Sequence, residues 1–361
     1  MSPLLPLLRA ENLTTGYAGR RGSSGERSGI TRNFSGEIFP GEMICLLGSN
    51  GSGKSTLLRT LGGFLSPLEG RIFLEEKPLE GYAPSERAKK IGVVHTGNPS
   101  VPYMTVEDLV LTGRHPHTPW HGGLSERDRE RGARILRLLG LEALQKRLLE
   151  KVSDGERRRA WLGRALAQET PLLLLDEPLA FIDLPGGAAI LHLLRRLAAE
   201  EGRGILFSSH QIQGALSMAD RTWLLTPSGE CLQGVGEDLL LRGDLERAYL
   251  GDTENSGGVR FSQEEALFFA PPSREPLGEV VLSGPSGAAL KWSRSALERR
   301  GFCLLSSGPP ELPYVELRQG FPEDSPVWCC SWGEQKRRCA SLEEVLGFVE
   351  PSVRRKGKDS L

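Results

Sequence analysis

Gly48-Ser49-Asn50-Gly51-Ser52-Gly53-Lys54-Ser55-Thr56 follows the apolar run Met43 to Leu47 and opens into Leu57, Leu58 and Leu61. This is the order strand, loop, helix, and the loop fits the phosphate-loop pattern. Its glycines let successive backbone N–H groups converge on phosphate oxygens, and the helix that follows turns its positive N-terminal end to the anion. Ser49, Asn50, Gly51, Ser52, Gly53, Lys54, Ser55 and Thr56 are therefore candidate nucleotide-binding residues. Lys54 is placed to reach the β- and γ-phosphates and Ser55 to ligate magnesium.

Magnesium needs a second protein contact, and Leu172-Leu173-Leu174-Leu175-Asp176-Glu177-Pro178 offers one at the end of a buried strand. Asp176 is the metal-side carboxylate, and Glu177 points elsewhere and can polarise an attacking water. Carboxyl ends of strands are where open α/β sheets bind ligands. Further strand signals at Ile91–Val94 and 204–208, with a helix carrying Ile190, Leu191, Leu194 and Leu197, complete a largely parallel sheet covered by helices. Between them, residues 103–170 read as a helical block: Thr105 with Asp108, Ser125 with Asp128, and Ser153 with Glu156 each resemble a capping box. Gly140 is a helix stop, and 19–30 reads as a polar Gly/Ser-rich loop.

The 361 residues, 39% hydrophobic and 25% charged, exclude wholesale disorder and allow two or three domains. A formal charge of -1 leaves no overall basic field, and no nucleic-acid partner is expected. No apolar stretch approaches the roughly 18 to 20 residues that span a bilayer. The N-terminal MSPLLPLLRAEN lacks a basic region before its leucines, so no secretory signal is expected, and six unevenly spaced Cys suit a reducing compartment. The expected boundaries are 1–251 for the first domain, with a helical subdomain at about 100–170, a linker at 252–277, a small α+β domain at 278–350 and a basic tail at 351–361.

Val152-Ser153-Asp154-Gly155-Glu156, about twenty residues before Asp176, resembles the signature motif of the ABC-type ATPases. The resemblance covers roughly residues 8–250 and implies a P-loop NTPase fold of the ABC ATPase type, with ATP and Mg2+ as ligands. It implies that Tyr17 stacks on adenine, that Asp183 contacts the opposite subunit, and that His210 senses the γ-phosphate. It also implies that Ser153 and Gly155, with Glu156 in the same set, face ATP held by a second copy of the chain. Lys54, Glu177 and His210 then form the catalytic group. Two positions depart from the family pattern. Thr96 stands where the family usually has Gln, so its contact with magnesium runs through water, and Asp154 replaces the first glycine of the signature.

Leu111-Thr112-Gly113-Arg114-His115-Pro116-His117-Thr118-Pro119-Trp120, and the Ser-Asp-Gly-Glu form of the signature, resemble the importer ATPases for iron-siderophore, haem and cobalamin. That likeness implies a separate integral membrane permease, an extracytoplasmic solute-binding protein, and residence on the cytoplasmic face of the cell membrane. His115, His117 and His121 also admit a metal-site reading, which two prolines and the lack of a completing Cys or carboxylate disfavour. A soluble ABC-type ATPase acting in translation or on nucleic acid is the alternative, and a poorly hydrolysing nucleotide sensor a third. In the C-terminal domain, Cys329 and Cys330 face opposite sides of a strand, while Trp328, Cys330 and Trp332 share a packing face. A regulatory or dimer-stabilising role is expected for that domain.

Overall fold

All six residues of strand Met43–Gly48 are buried, because parallel strands on both sides and layers above and below leave it no solvent face. The computed structural model describes residues 5–17, 28–97, 99–118, 123–250, 260–262, 267–269, 278–300, 302–309, 312–319 and 326–356. Two units result: Met1–Glu254 with Ser262–Leu267, and Asn255–Phe261 with Phe268–Leu361.

In the first unit a six-stranded sheet runs in the order Cys231–Gly234, Arg221–Leu225, Met43–Gly48, Gly204–Ser208, Leu172–Leu175, Ile91–Val94. Every pairing is parallel except that of the first two strands. The register sets Leu46 beside Ser208, Phe207 beside Leu175, and Leu175 beside Val94. Gly48, His95, Asp176 and Ser208 thus emerge at one carboxyl edge. Leu172 to Leu175 are each fully buried, and each contributes about 1.5–3 kcal/mol by leaving water.

A second, antiparallel sheet is ordered Ser28–Ile38, Leu8–Tyr17, Glu69–Leu74, Lys77–Pro78. The strand Ser28–Ile38 claims residues 28–30 from the expected loop, because Gly29 and Thr31 pair with Gly16 and Thr15; 18–27 lie outside the described residues. Leu8, Leu13 and Phe34 share one core with Leu57 and Leu61 of the phosphate-loop helix and Trp223 of the large sheet. Phe34 meets Trp223 edge to face at 4.9 Å.

The helical block holds Val106–Thr112, Glu126–Leu138 and Asp154–Ala167. All three capping boxes form, with Thr105, Ser125 and Ser153 accepting from the backbone N–H three residues on at 3.1, 3.2 and 3.3 Å. Gly140 takes a φ of 64°, just past the second helix. Buried Arg114 ties the block together, donating to Asp128 at 2.9 Å, Glu169 at 2.8 Å and the Ala167 carbonyl at 2.7 Å. His115 and His117 lie on a short 3-10 turn where His117 Nε2 bonds the Gln168 carbonyl, and no metal-ligand cluster occurs among the described residues. His121 is outside them.

The second unit has a five-stranded sheet ordered Phe302–Leu305, Gly278–Ser283, Tyr314–Gln319, Pro326–Trp332, Gln335–Cys339, the first three parallel and the last two antiparallel additions. Trp328, Cys330, Leu297 and Val345 share its core, and Trp328 Nε1 donates to Ser293 at 2.7 Å. Two expectations are corrected. The segment 252–277 contains strands Arg260–Ser262 and Leu267–Phe269, and helix Leu342–Lys356 runs through the first part of the expected tail. An i to i+3 and i+4 spacing of Leu342, Val345, Leu346 and Val349, all packed on the core, carries that helix onward.

Candidate nucleotide site

The phosphate loop turns through Gly51 and Gly53 at positive φ, 79° and 101°, and a Cβ on Gly53 would lie 2.3 Å from Ile30 Cγ2. Only glycine meets both demands. Lys54 opens helix Lys54–Leu61 and folds back over the loop, donating from Nζ to the Gly48 carbonyl at 2.8 Å and the Ser49 carbonyl at 3.0 Å. Burial pushes its pKa down, and the charges of Glu177 and Asp176 partly offset that. Thr56 is buried on the same helix, and its carbonyl accepts from the Thr60 hydroxyl at 2.8 Å. Ser49, Asn50, Gly51 and Ser55 reach solvent to varying degrees.

Asp176 leaves the buried strand, 3% exposed, and its Oδ1 accepts from Ser208 Oγ at 2.8 Å. The same Ser208 hydroxyl accepts the Glu177 N–H at 2.8 Å. Glu177 sits at a φ of 52°, a conformation that costs a non-glycine residue about 1–3 kcal/mol. Its carbonyl is held by Arg158, from Nε at 3.1 Å and Nη2 at 2.6 Å. Both backbone polar groups of Glu177 are thereby fixed, and its carboxylate meets His210 Nε2 at 2.5 Å. Lys54, Asp176, Glu177 and His210 thus converge at the carboxyl edge of the sheet.

The remaining candidates stand apart from this cluster. Tyr17 ends its strand with the ring half exposed. Ser153 and Glu156 bond each other as helix cap, the Ser153 N–H donating to Glu156 at 2.8 Å, and the Ser153 N–H bond pulls the Glu156 pKa down. Asp154, instead of facing a triphosphate unpaired, is ion-paired with Arg157. Gly155 is a close-approach glycine, since a Cβ would lie 2.6 Å from the Phe181 carbonyl oxygen. Asp183 caps helix Leu184–Glu201 through the Gly186 N–H at 3.2 Å, between exposed Phe181 and Leu184. Thr96 is exposed, and its carbonyl lies 3.5 Å from Arg158 Nη1.

Three functional neighbours escape the sequence reading. Ser208 lies in the quoted Phe207-Ser208-Ser209-His210, and a polar residue closing an apolar strand is the signal that could have found it. Tyr249 Oη accepts the Gly48 N–H at 3.1 Å, with burial raising its pKa to about 12. Arg158 hides in an Arg157-Arg158-Arg159 run that reads as a solvated helix face.

The residues fit a triphosphate. Ser52 Oγ is buried in the loop with no partner, and the space over Gly51 Cα is open. An apolar groove of about 490 Å³ opens on the helical block, lined by Val101, Met104, Leu109, His115, Pro116 and Trp161 among others.

The chain matches the family model for ABC transporters over residues 31–180 and the model for the iron ABC transporter C-terminal domain over residues 277–350. An uncharacterized ABC transporter ATP-binding protein of Methanocaldococcus jannaschii is 35% identical over 286 residues, spanning 78% of this chain and 93% of that protein. The ferric enterobactin transport ATP-binding protein of Escherichia coli is 31% identical over 249 residues, 69% of this chain and 89% of that one. A solved dimeric ATP-binding cassette in a post-hydrolysis state, bound to ADP and Pi, aligns with a TM-score of 0.56 and 27% identity over 63% of this chain and 98% of its own.

Proposed function

This chain belongs to the ABC transporter ATP-binding proteins, and from that premise we propose that it hydrolyses ATP as a dimer to drive import of an iron chelate, haem or cobalamin through a separate membrane permease. The observation that carries the reading is the set Lys54, Asp176, Glu177 and His210 at one sheet edge, with Glu177 held against His210 at 2.5 Å.

The phosphate-loop N–H groups and Lys54 bind and orient the triphosphate, and Ser55 and Asp176 would hold Mg2+, with Thr96 reaching it through water. When bound, Mg2+ neutralises charge on the phosphates. Glu177 orients the attacking water and takes its proton, while His210 keeps the Glu177 carboxylate aimed. Exposed Tyr17 offers a face for adenine. Ser153, Gly155 and Glu156 complete the site of a second copy, and the exposed Phe181 and Leu184 beside Asp183 supply apolar area for that contact. The groove at Met104, His115 and Trp161 is where the permease docks, from the cytoplasmic face of the membrane, and a solute-binding protein outside delivers cargo.

The cargo class rests on the ferric enterobactin relative and on the match to the iron ABC transporter C-terminal domain. A regulatory or dimer-stabilising role for residues 278–350 is part of the same proposal. The test is steady-state hydrolysis by the full chain with and without Glu177→Gln. At least a hundredfold fall with ATP binding retained supports the mechanism, and undiminished hydrolysis overturns it.

A further inference from the structure

Arg158 is fully buried on helix Asp154–Ala167, the helix that begins at the Ser153-Glu156 cap. A buried guanidinium is expensive unless its donors are matched, and here they are matched by backbone carbonyls of two different loops. Nη1 donates to the His95 carbonyl at 2.7 Å and approaches that of Thr96 at 3.5 Å. Nη2 donates to the carbonyls of Asp176 and, at 2.6 Å, Glu177, and Nε adds a bond to Glu177 at 3.1 Å.

We propose that Arg158 is a positioning residue that links the His95–Thr96 loop to the Asp176–Glu177 turn, so that nucleotide bound at one is felt at the other. The inference rests on the ATPase reading of this site. Three observations give it content. The planar fork spans two loops that follow neighbouring parallel strands, Ile91–Val94 and Leu172–Leu175. Glu177 is in a strained backbone conformation and needs its carbonyl held. Thr96 offers only a short side chain, so beyond the ladder bond from the Asp176 N–H to the Val94 carbonyl at 2.8 Å the side-chain link between the loop and the carboxylate turn is the arginine. The His95 ring also packs edge to face on exposed Phe64 at 4.9 Å, which places the loop beside residues a partner can touch.

Hydrogen–deuterium exchange of the full chain, read by mass spectrometry with and without MgATP, tests this in a Glu177→Gln background. Protection of the phosphate-loop peptide 48–61 reports nucleotide binding, and protection of 91–97 reports coupling. With Arg158 present, MgATP slows exchange in 48–61, 172–180 and 91–97. With Arg158→Gln added, protection of 48–61 persists and that of 91–97 falls by half or more. Equal protection of 91–97 in both proteins overturns the proposal. Should the Gln variant not fold, Arg158→Lys carries the same comparison, because one ammonium replaces a fork that bonds both loops. A merely structural arginine would lower the melting temperature and leave the MgATP-dependent protection of 91–97 intact. Absence of protection at 48–61 in the Glu177→Gln chain would instead count against the ATPase reading itself.

Discussion

Replacing Ser208 by Ala removes one hydroxyl and two hydrogen bonds. Ser208 is fully buried, donates to Asp176 Oδ1 at 2.8 Å and accepts from the Glu177 N–H at 2.8 Å. Losing a bond to a charged group costs about 1.5–3 kcal/mol, and leaving a half-buried N–H unpartnered adds about 1 kcal/mol. The sum, about 2.5–4 kcal/mol, corresponds to a fall in melting temperature of about 5–16 °C for a unit of this size. Hydrolysis should suffer more than binding. The Glu177 N–H no longer opposes the strain at its φ of 52°, and the carboxylate loses its fixed direction toward His210. We expect kcat to fall about 10–100-fold with KM for ATP within about threefold. Ser208→Thr, which keeps the hydroxyl, should recover part of kcat. Circular dichroism melts and steady-state hydrolysis measure both quantities. A Ser208→Ala protein within 1–2 °C and about twofold of wild type would refute the argument that this hydroxyl holds the two carboxylates in register.

Further predictions test separate links. Gly155→Ala places a Cβ 2.6 Å from the Phe181 carbonyl oxygen; the displaced 181–183 loop should weaken MgATP-driven dimerisation about tenfold or more, read by light scattering in the Glu177→Gln background. Tyr249→Phe removes the acceptor of the Gly48 N–H and should weaken ATP binding by calorimetry about three- to tenfold. The Asp128 carboxyl is held down to about 2, chiefly by the Ser125 hydroxyl and then by Arg114. Its folded pKa lies below the ordinary value of 3.8, so its stabilisation is present above that value and fades as pH falls toward 2. Asp128→Asn should therefore unfold at higher pH in acid titrations followed by circular dichroism, with the two curves converging near pH 2.

The fold was legible wherever apolar runs and punctuation agreed. Met43 to Leu47 ahead of the glycines, and Leu172 to Leu175 ahead of Asp176, locate two interior strands of the six-stranded sheet because buried parallel strands read as continuous hydrophobic runs. The capping boxes at Thr105, Ser125 and Ser153 located three helices through local chemistry alone. Strand 28–38 was harder, since Gly29 and Ser28 carry turn chemistry and only pairing with Gly16 and Tyr17 makes them strand. At the site, Asp176, Glu177 and His210 are placed by the apolar strands that precede them, and that placement is legible in the sequence. That of Arg158 and Tyr249 is not, because each acts on backbone groups far away in sequence, His95, Glu177 and Gly48, and no local pattern encodes such a contact. Asp183 and Ser153 are legible as helix caps from local chemistry alone.

An importer ATPase works only with a membrane permease. Tagged Glu177→Gln protein, purified from detergent-solubilised native membranes with ATP present and examined by mass spectrometry, addresses that directly. A polytopic membrane protein in stoichiometric amount is the expected result. Ribosomal or nucleic-acid-associated partners, with no membrane protein among them, would contradict the importer reading.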